Sequence, residues 1–488
     1  MSNNLKEQGK KAFIWDFLGK MATHGMGFVV SIFLARLLEP SDFGLIAMVM
    51  VIIGIASVFT DVGLGSALIQ RQKVKSIHYS SVFYFNIAIG LLLAFITYIS
   101  APWISEFYNS EQLLPLTQVM SFLFLTNAFS SVQSTRLRKE LNYALLTKIS
   151  FISSLLSGVV GVSLAFSGAG VWSLVAQTLA MAVMYNIIIW NTSKWKPSLV
   201  FSWKALKQLW GFGFRMFLVG ILDAIFTRLD FLIIGKLFPP AILGYFQRAK
   251  SLNHMVVRYS SGSLMAVLFP ILSKIQNDLP RFQNIILKSL GIISFIVFLL
   301  LGGLYLVSEE LIVLLFSNKW LASVDIFKVL VLSGFGYPIS SLLVNVLSSR
   351  GNSKLFLRMA ILKKLIASVN LSVLYFLGIN IFLYGLVVQS FLGVSINIFF
   401  ASREIKLPFY TFAKPIMVQM SLTIIAVVIT MLFTKEMLLY GVAIPILKGS
   451  LFTFLYISMN HLINTSSYEC FVEQIMPVVK MKFGNIKD

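Results

Sequence analysis

Long apolar stretches, separated by short polar connections, fill almost the whole chain. Each stretch reaches the roughly 20 residues that an α-helix needs to cross a bilayer. The pattern therefore predicts an all-α integral membrane protein with about 14 transmembrane helices, and an even number of spans places both termini on one side. The predicted spans cover about residues 12–37, 42–67, 79–101, 113–134, 145–166, 169–191, 205–237, 241–271, 284–307, 323–348, 356–378, 380–401, 414–434 and 437–463.

The composition supports a membrane protein and excludes several kinds of site. The 488 residues are 57% hydrophobic and only 12% charged, whereas soluble domains carry about 25% charged residues. Cys470 is the only cysteine, which excludes an intrachain disulfide and a cysteine-based metal site. The four histidines lack metal-binding spacing, so neither a metal nor another cofactor is predicted. The start, "MSNNLKEQGKKAFIWDF", has no cleavage site, so we expect the first apolar stretch to remain a membrane helix.

The net charge of +21 is explained by membrane topology. With the N-terminus inside, the connections around Lys75 and Lys196 fall on the inner side, and those around Glu106 and Glu310 fall on the outer side. Lys and Arg concentrate in cytoplasmic loops of membrane proteins. The sequence therefore predicts cytoplasmic termini, and the charge requires no nucleic-acid partner.

One short corner occurs twice, two hundred positions apart. "ARLLEPSDFGL" at 35–45 aligns with "GKLFPPAILGY" at 235–245, so that Pro40 matches Pro240 and Gly44 matches Gly244. Proline suits the first turn of a helix, and glycine one turn later allows close helix contact. Because six spans separate the copies, both halves have the same orientation, as in transporters built from parallel repeats.

The repeat divides the chain into five predicted regions. The two six-helix lobes are joined by a basic cytoplasmic linker and followed by two additional spans and an amphipathic cytoplasmic tail. The predicted boundaries are 1–192 for the N-terminal lobe, 193–204 for the linker, 205–402 for the C-terminal lobe, 403–466 for the last two spans and 467–488 for the tail.

Ionisable residues inside the predicted spans are the main candidates for function. Lys250, His254 and Arg258 are spaced i, i+4, i+8 and share one helical face. They lie roughly 14 to 26 Å from the corner at 1.5 Å per residue. Charged groups at such depth usually face a cavity or one another. We expect this stripe to line a wet, anion-binding cavity, although a structural ion-pair cluster with Asp223 is the alternative.

For other charged residues, both a structural role and a functional role in the cavity remain possible. Arg248 and Asp230 lie at similar depths and either neutralise each other or join the cavity. Asp61, near the inner end of span 2, either anchors a helix end or couples an ion. The complete set of candidates is Lys250, His254, Arg258, Arg248, His24 and Lys20 for substrate binding, and Asp223, Asp230 and Asp61 for gating or ion coupling.

The first span carries a fainter copy of the basic stripe. Asp16, Lys20 and His24 repeat the i, i+4, i+8 spacing, but they begin near the inner surface. Asp16 and Lys20 are therefore also compatible with an interfacial pair, whereas His24 lies deeper and is a candidate cavity residue.

Two segments resemble a known family. "LARLLEPSDFGLIAMVMVIIGIASVFTDVGLGSALIQR" at 34–71 resembles the N-terminal signature of the polysaccharide transporters, and "LDFLIIGKLFPPAILGYFQRAKSL" at 229–252 resembles the second-half signature. These are lipid-linked oligosaccharide flippases of the multidrug/oligosaccharidyl-lipid/polysaccharide exporter superfamily, and the likeness is closest to the colanic-acid exporter branch.

The resemblance implies a V-shaped fold of two lobes around a central cavity, working by alternating access in the bacterial inner membrane. It implies transport of an undecaprenyl-pyrophosphate-linked oligosaccharide for exopolysaccharide, capsule or O-antigen synthesis. Contacts with membrane lipid and with polysaccharide polymerase machinery are also implied. A basic cavity suits such a pyrophosphate-bearing lipid, because paired charges interact more strongly at low dielectric.

Four alternatives remain. A lipid II flippase shares the span count and a basic cavity, whereas a cation-coupled multidrug exporter would need an acidic one. A membrane glycan polymerase or ligase would need a sizeable outer loop with catalytic residues, and the sequence predicts neither, so no enzyme activity is expected. A scaffold without transport would not need deep charges on one helical face.

Overall fold

The computed structural model describes residues 2–193, 195–435 and 443–473, and it is all-α. The helices are α1 Ser2–Leu37, α2 Pro40–Ala56, α3 Val58–Asp61, α4 Leu64–Gln70, α5 Ser76–Tyr108, α6 Leu113–Met120, α7 Phe122–Lys139, α8 Tyr143–Phe166, α9 Val171–Thr192, α10 Trp203–Leu237, α11 Pro240–Lys274, α12 Leu279–Leu306, α13 Ser308–Phe316, α14 Ser323–Ser333, α15 Gly336–Ser349, α16 Ser353–Leu377, α17 Ile379–Glu404, α18 Phe409–Thr434, α19 Ala443–Leu462 and α20 Ser466–Glu473.

Each predicted span coincides with a helix, or with consecutive helices, in the described part of the chain. Among the described residues, ten segments are long and apolar enough to cross a membrane, and α19 with α20 makes an eleventh if that pair, bent by 102°, is counted as one span. In α1 only Met21–Leu37 is apolar, and α10 and α11 carry several charges. The all-α membrane fold is therefore confirmed, and the spanning role of α1, α10 and α11 stays a prediction.

The two copies of the repeated corner have the same local structure. Pro40 begins α2 and Pro240 begins α11, each after a two-residue link from the preceding helix. At the first corner the Glu39 N–H donates to the Asp42 carboxylate at 3.0 Å, which satisfies one of the free donors at the start of a helix. The sequence repeat thus reflects a repeated helical hairpin.

The chain divides into two compact units, Met1–Gln247 and Arg248–Asp488. This division falls within α11, whereas the predicted linker lies at 193–204. The reason is that α10 packs against α2, α4 and α5 and so belongs to the first unit. The arrangement of two six-helix lobes remains a prediction.

A buried cluster fixes the start of α10 inside the first unit. Leu206 and Leu209 pack with Leu68, Phe83 and other apolar side chains of α4, α5 and α7. The polar segment before α10 is bound to the first turns of α5, because the backbone N–H groups of residues 198 and 202 donate to serine hydroxyls of α5 at 3.0 and 2.9 Å. The remainder of α10 is thereby positioned along α2.

In the second unit, a fully buried polar network joins α12, α18 and α19. The Tyr456 hydroxyl donates to the Phe295 carbonyl at 3.1 Å and to the Gln419 side-chain oxygen at 2.5 Å. The Gln419 amide donates to Asn460 at 2.7 Å. Interhelical hydrogen bonds of this kind contribute about 1 kcal/mol each in membranes. They hold the last described spans to the body of the second unit.

Candidate substrate-binding site

The basic residues of α11 have different surroundings. Arg248 is buried, with 9% of its surface exposed. Its guanidinium carbon lies 5.5 Å from the centre of the Phe316 ring and 5.7 Å from that of Trp320. A desolvated cation over aromatic faces is stabilised by about 2 kcal/mol. Arg248 therefore has a packing role within the second unit, in addition to any contact with substrate.

Lys250 and His254 are more accessible than Arg248. Lys250 is half-buried and His254 is exposed, and the two stand one helical turn apart on α11. The Arg258 side chain lies outside the described residues. Two members of the predicted stripe thus have solvent-accessible side chains, and the role of its deepest member stays a prediction.

Arg228 of α10 makes a contact that sequence reasoning missed. Its Nη1 donates to the Met50 carbonyl of α2 at 2.9 Å. The guanidinium lies against Gly54, where a Cβ atom would be 2.1 Å from the guanidinium carbon. Arg228 is half-buried and forms no ion pair with a described residue. Most of its five N–H donors therefore remain available to another ligand.

The two candidate carboxylates of α10 lie near Arg228 in sequence but differ in exposure. Asp223 is exposed and Asp230 is half-buried. The Asp230 carboxylate accepts the N–H of Phe231 at 2.9 Å, which is a local backbone contact. Neither their exposure nor this contact tests the predicted role of Asp223 and Asp230 in gating or ion coupling, which stays a prediction.

Asp61 is tied to a break in the second span. Val62 and Gly63 have φ of +43° and +71°, so the helix ends after Asp61 and restarts at α4. Both Asp61 oxygens accept the Gly65 N–H, at 3.0 and 2.9 Å. One oxygen also lies 3.3 Å from the Asn86 amide and 3.5 Å from the Ser131 hydroxyl. This arrangement supports the anchoring alternative for Asp61.

The candidates of α1 are described only in part. His24 is exposed and lines a cavity within the first unit together with Arg138. The side chains of Asp16 and Lys20 lie outside the described residues. Where the chain is described, no group of three or more His, Cys, Asp and Glu residues could hold a metal ion.

A second cavity, within the second unit, is almost entirely apolar. It has a volume of about 360 Å³ between α12, α14, α17 and α18, with Phe298, Phe335 and Phe391 among its lining residues. Apart from the hydroxyls of Tyr305 and Thr423, its lining offers no polar side chain. Such a surface suits hydrocarbon and offers no positive charge to a phosphate.

More than half of the sequence matches a known family. The profile of a family described as "polysaccharide biosynthesis protein" matches residues 33–325, which include both copies of the corner and all of α10 and α11. The chain belongs to this family. The family predicted from the segments at 34–71 and 229–252 is thereby confirmed.

Two proteins with similar sequences carry names that refer to the biosynthesis of teichuronic acid and succinoglycan. The chain is 28% identical over 303 residues to the teichuronic acid biosynthesis protein TuaB of Bacillus subtilis (strain 168), covering 62% of each chain. It is 26% identical over 321 residues to the succinoglycan biosynthesis transport protein ExoT of Rhizobium meliloti (strain 1021), covering 65% of each. The matched part thus spans less than two thirds of these relatives.

A solved structure shows the same fold. The lipid II flippase MurJ, in an inward closed conformation, matches with a TM-score of 0.72 and 16% sequence identity. The match covers 93% of this chain and 100% of the other. At this identity the likeness concerns the fold alone, and it agrees with the predicted multi-pass, all-α membrane fold.

Proposed function

We infer that this family member is a flippase that moves a polyprenyl-pyrophosphate-linked oligosaccharide across the bacterial inner membrane by alternating access. The observation that carries this proposal is Arg228. A half-buried guanidinium in a predicted span, with one hydrogen bond to Met50 and no ion pair with a described residue, is costly unless water or an anion binds it. A diphosphate head group would supply that anion.

The other basic residues fit the same role. Lys250 and His254 are accessible on α11, and each could donate to phosphate oxygens through charge-assisted hydrogen bonds. The glycan would occupy an aqueous path while the prenyl chain stays in lipid. No bond forms or breaks, so the process needs no catalytic residue and no cofactor. The relative named as a transport protein supports this class.

The alternatives make different demands on the same residues. A lipid II flippase would use similar cations, and the likeness to MurJ in fold is compatible with it. A cation-coupled drug exporter would favour acidic over basic accessible residues. A polymerase or ligase would need catalytic groups beside the glycan, and the family and the named relatives favour transport over that chemistry.

The proposal extends to location and partners. The proposed location is the inner membrane with cytoplasmic termini, which the distribution of Lys and Arg supports. The proposed partner is polysaccharide polymerase machinery, which the family resemblance supports. The products would be precursors of exopolysaccharide, capsule or O-antigen.

A proteoliposome assay tests the function. The full-length protein is reconstituted with a fluorescent polyprenyl-diphosphate oligosaccharide on the inner leaflet, and a membrane-impermeant quencher reports its arrival outside. We expect protein-dependent translocation without any increase in glycan length. Longer glycans would identify a polymerase, and transport of lipid II but of no other glycan lipid would identify a lipid II flippase.

A further inference from the structure

A polar cavity inside the first unit is lined by His24, a candidate substrate-binding residue, and by polar side chains that the proposed function has not used. It lies between α1, α7, α8 and α9 and has a volume of about 260 Å³. This is slightly below the roughly 300–1,000 Å³ typical of drug-sized ligands, so the cavity suits a small head group rather than a whole lipid. The lining residues that matter here are Thr23, His24, Arg138, Tyr143, Ser150 and Tyr185.

Arg138 differs from the two basic residues beside it. Arg136 forms an ion pair with Glu140, with 2.7 Å between Nε and Oε1. The Lys139 ammonium donates to the backbone carbonyls of Leu68 and Arg71. Arg138, in contrast, is exposed and makes no hydrogen bond or ion pair with a described residue. Its planar fork of N–H donors is therefore open to a ligand in the cavity.

The cavity wall adds hydroxyl groups to this guanidinium. Tyr143, Ser150 and Thr23 line it and make no hydrogen bond with a described side chain or backbone group. Tyr185 is held in place, because its hydroxyl lies 3.0 Å from that of Ser134. Hydroxyls both donate and accept, so they suit phosphate oxygens and sugar hydroxyls equally. One guanidinium with several hydroxyls is a suitable donor set for a phosphate ester.

The position of the cavity indicates how a ligand would reach it. Arg138 lies in the last turn of α7 and Tyr143 begins α8, so the cavity adjoins a connection that the charge pattern predicts to be cytoplasmic. A phosphate-bearing head group could enter there while an attached hydrocarbon chain stays in the bilayer. The class of ligand that fits both environments is a phosphorylated lipid.

We propose that this cavity binds the phosphorylated head group of a lipid, with Arg138 holding the phosphate and Tyr143, Ser150 and Thr23 completing the contacts. That this lipid is the glycan carrier, received here before transport, rests on the proposed function. An anionic membrane phospholipid offers the same chemistry from a second source.

The binding test uses the full-length protein in phosphatidylcholine nanodiscs, with geranyl diphosphate as the probe and calorimetric titration as the readout. Hydrogen bonds to a charged group contribute about 1.5–3 kcal/mol, so Arg138→Gln should weaken binding about tenfold or more. The matched control is Arg136→Gln, which removes an ion pair two residues away and should change affinity by less than about twofold. Unchanged affinity in Arg138→Gln, or equal losses in both variants, would overturn the proposal.

A second variant protects the test against misfolding. Tyr143→Phe combined with Ser150→Ala removes two cavity hydroxyls and leaves Arg138 and the Arg136–Glu140 ion pair intact. It should also weaken geranyl diphosphate binding, while size-exclusion profiles remain those of the unmodified protein. Full affinity in a correctly folded double variant would likewise exclude the cavity as the binding site.

Two further arms identify the source of the lipid. If phosphatidylglycerol nanodiscs abolish geranyl diphosphate binding, the site belongs to membrane phospholipid, whereas retained binding assigns it to the carrier. Normal glycan export by Arg138→Gln would place the cavity outside the transport route and leave the proposed function intact. Persistent binding by a protein that translocates no glycan lipid would refute the proposed function and leave the cavity site standing.

Discussion

The backbone carbonyl of Pro240 lies directly against Gly44. A Cβ atom on Gly44 would sit 1.8 Å from the Pro240 oxygen, and a Cβ atom on Gly244 would sit 1.9 Å from the oxygen of Pro40. Each glycine of the repeated corner thus accommodates the proline of the other copy. This reciprocity gives a physical reason for the repeat, because the two corners pack on each other and neither glycine can be enlarged.

Enlarging either corner glycine should force the two hairpins apart. We expect Gly44→Ala and Gly244→Ala each to destabilise the protein by about 1–3 kcal/mol, the usual effect of overpacking, with thermal unfolding of the purified protein as the measurement. The control is Gly211→Ala on α10, where a Cβ atom meets nothing within 4 Å. Similar melting temperatures for all three variants would contradict the close contact.

The contact between Arg228 and α2 predicts that transport depends on the position of the guanidinium as well as on its charge. In Gly54→Ala the new Cβ would lie 2.1 Å from the guanidinium carbon, and because that group ends a flexible side chain it should move while the fold persists. If Arg228 must lie on α2 to bind the head group, Gly54→Ala and Arg228→Gln should each lower the transport rate about tenfold.

The double variant tests whether the two changes act through one contact. Gly54→Ala combined with Arg228→Gln should be little worse than Arg228→Gln alone, since residues that share a contact have non-additive effects. Transport rates in proteoliposomes, compared at equal protein content, provide the measurement. Additive losses would show that Gly54 acts independently of Arg228.

The sequence was sufficient for the helices, and the reason is physical. A span must reach the thickness of the bilayer, and only a helix satisfies its own backbone hydrogen bonds there, so apolar length indicates most of the spans. It is a weaker guide for α1, α10 and α11, which carry charges or have shorter apolar stretches. Pro40 and Pro240 also marked the helix starts correctly, since proline lacks the donor that a first turn does not use.

The sequence could not give the contacts of the site, because these depend on atoms that carry no sequence signal. The acceptor for Arg228 is the backbone carbonyl of Met50, and every residue has such a carbonyl. The ion pair of Arg136 with Glu140 is different, because its i, i+4 spacing is visible in the sequence. The contacts of Asp61 with Asn86 and Ser131 could not be predicted either, because they depend on which spans are neighbours.

Arg248 and Lys250 should respond differently to substitution, because only the first is buried. Arg248→Ala removes a cation held over the Phe316 and Trp320 rings and should destabilise the protein by about 2 kcal/mol or more. Lys250→Gln alters an accessible residue and should lower transport without lowering the melting temperature. Thermal unfolding and transport per molecule, measured on the same preparations, distinguish the two, and an unchanged melting temperature for Arg248→Ala would count against its packing role.

Asp61 provides the last prediction, which decides between anchoring and ion coupling. In Asp61→Asn an amide NH₂ would replace an oxygen that accepts the Gly65 N–H, placing donor against donor. The free energy of unfolding should fall by about 1–3 kcal/mol, the range for an unsatisfied buried hydrogen-bonding group.

The matched control is Asp278→Asn, whose side chain accepts the Arg281 N–H at the start of α12. Asparagine caps a helix as well as aspartate does, so this variant should retain full stability. Transport by Asp61→Asn should respond to sodium and proton gradients as the unmodified protein does, once both are normalised to folded protein. A fully stable Asp61→Asn that no longer responds to either gradient would instead assign Asp61 to ion coupling.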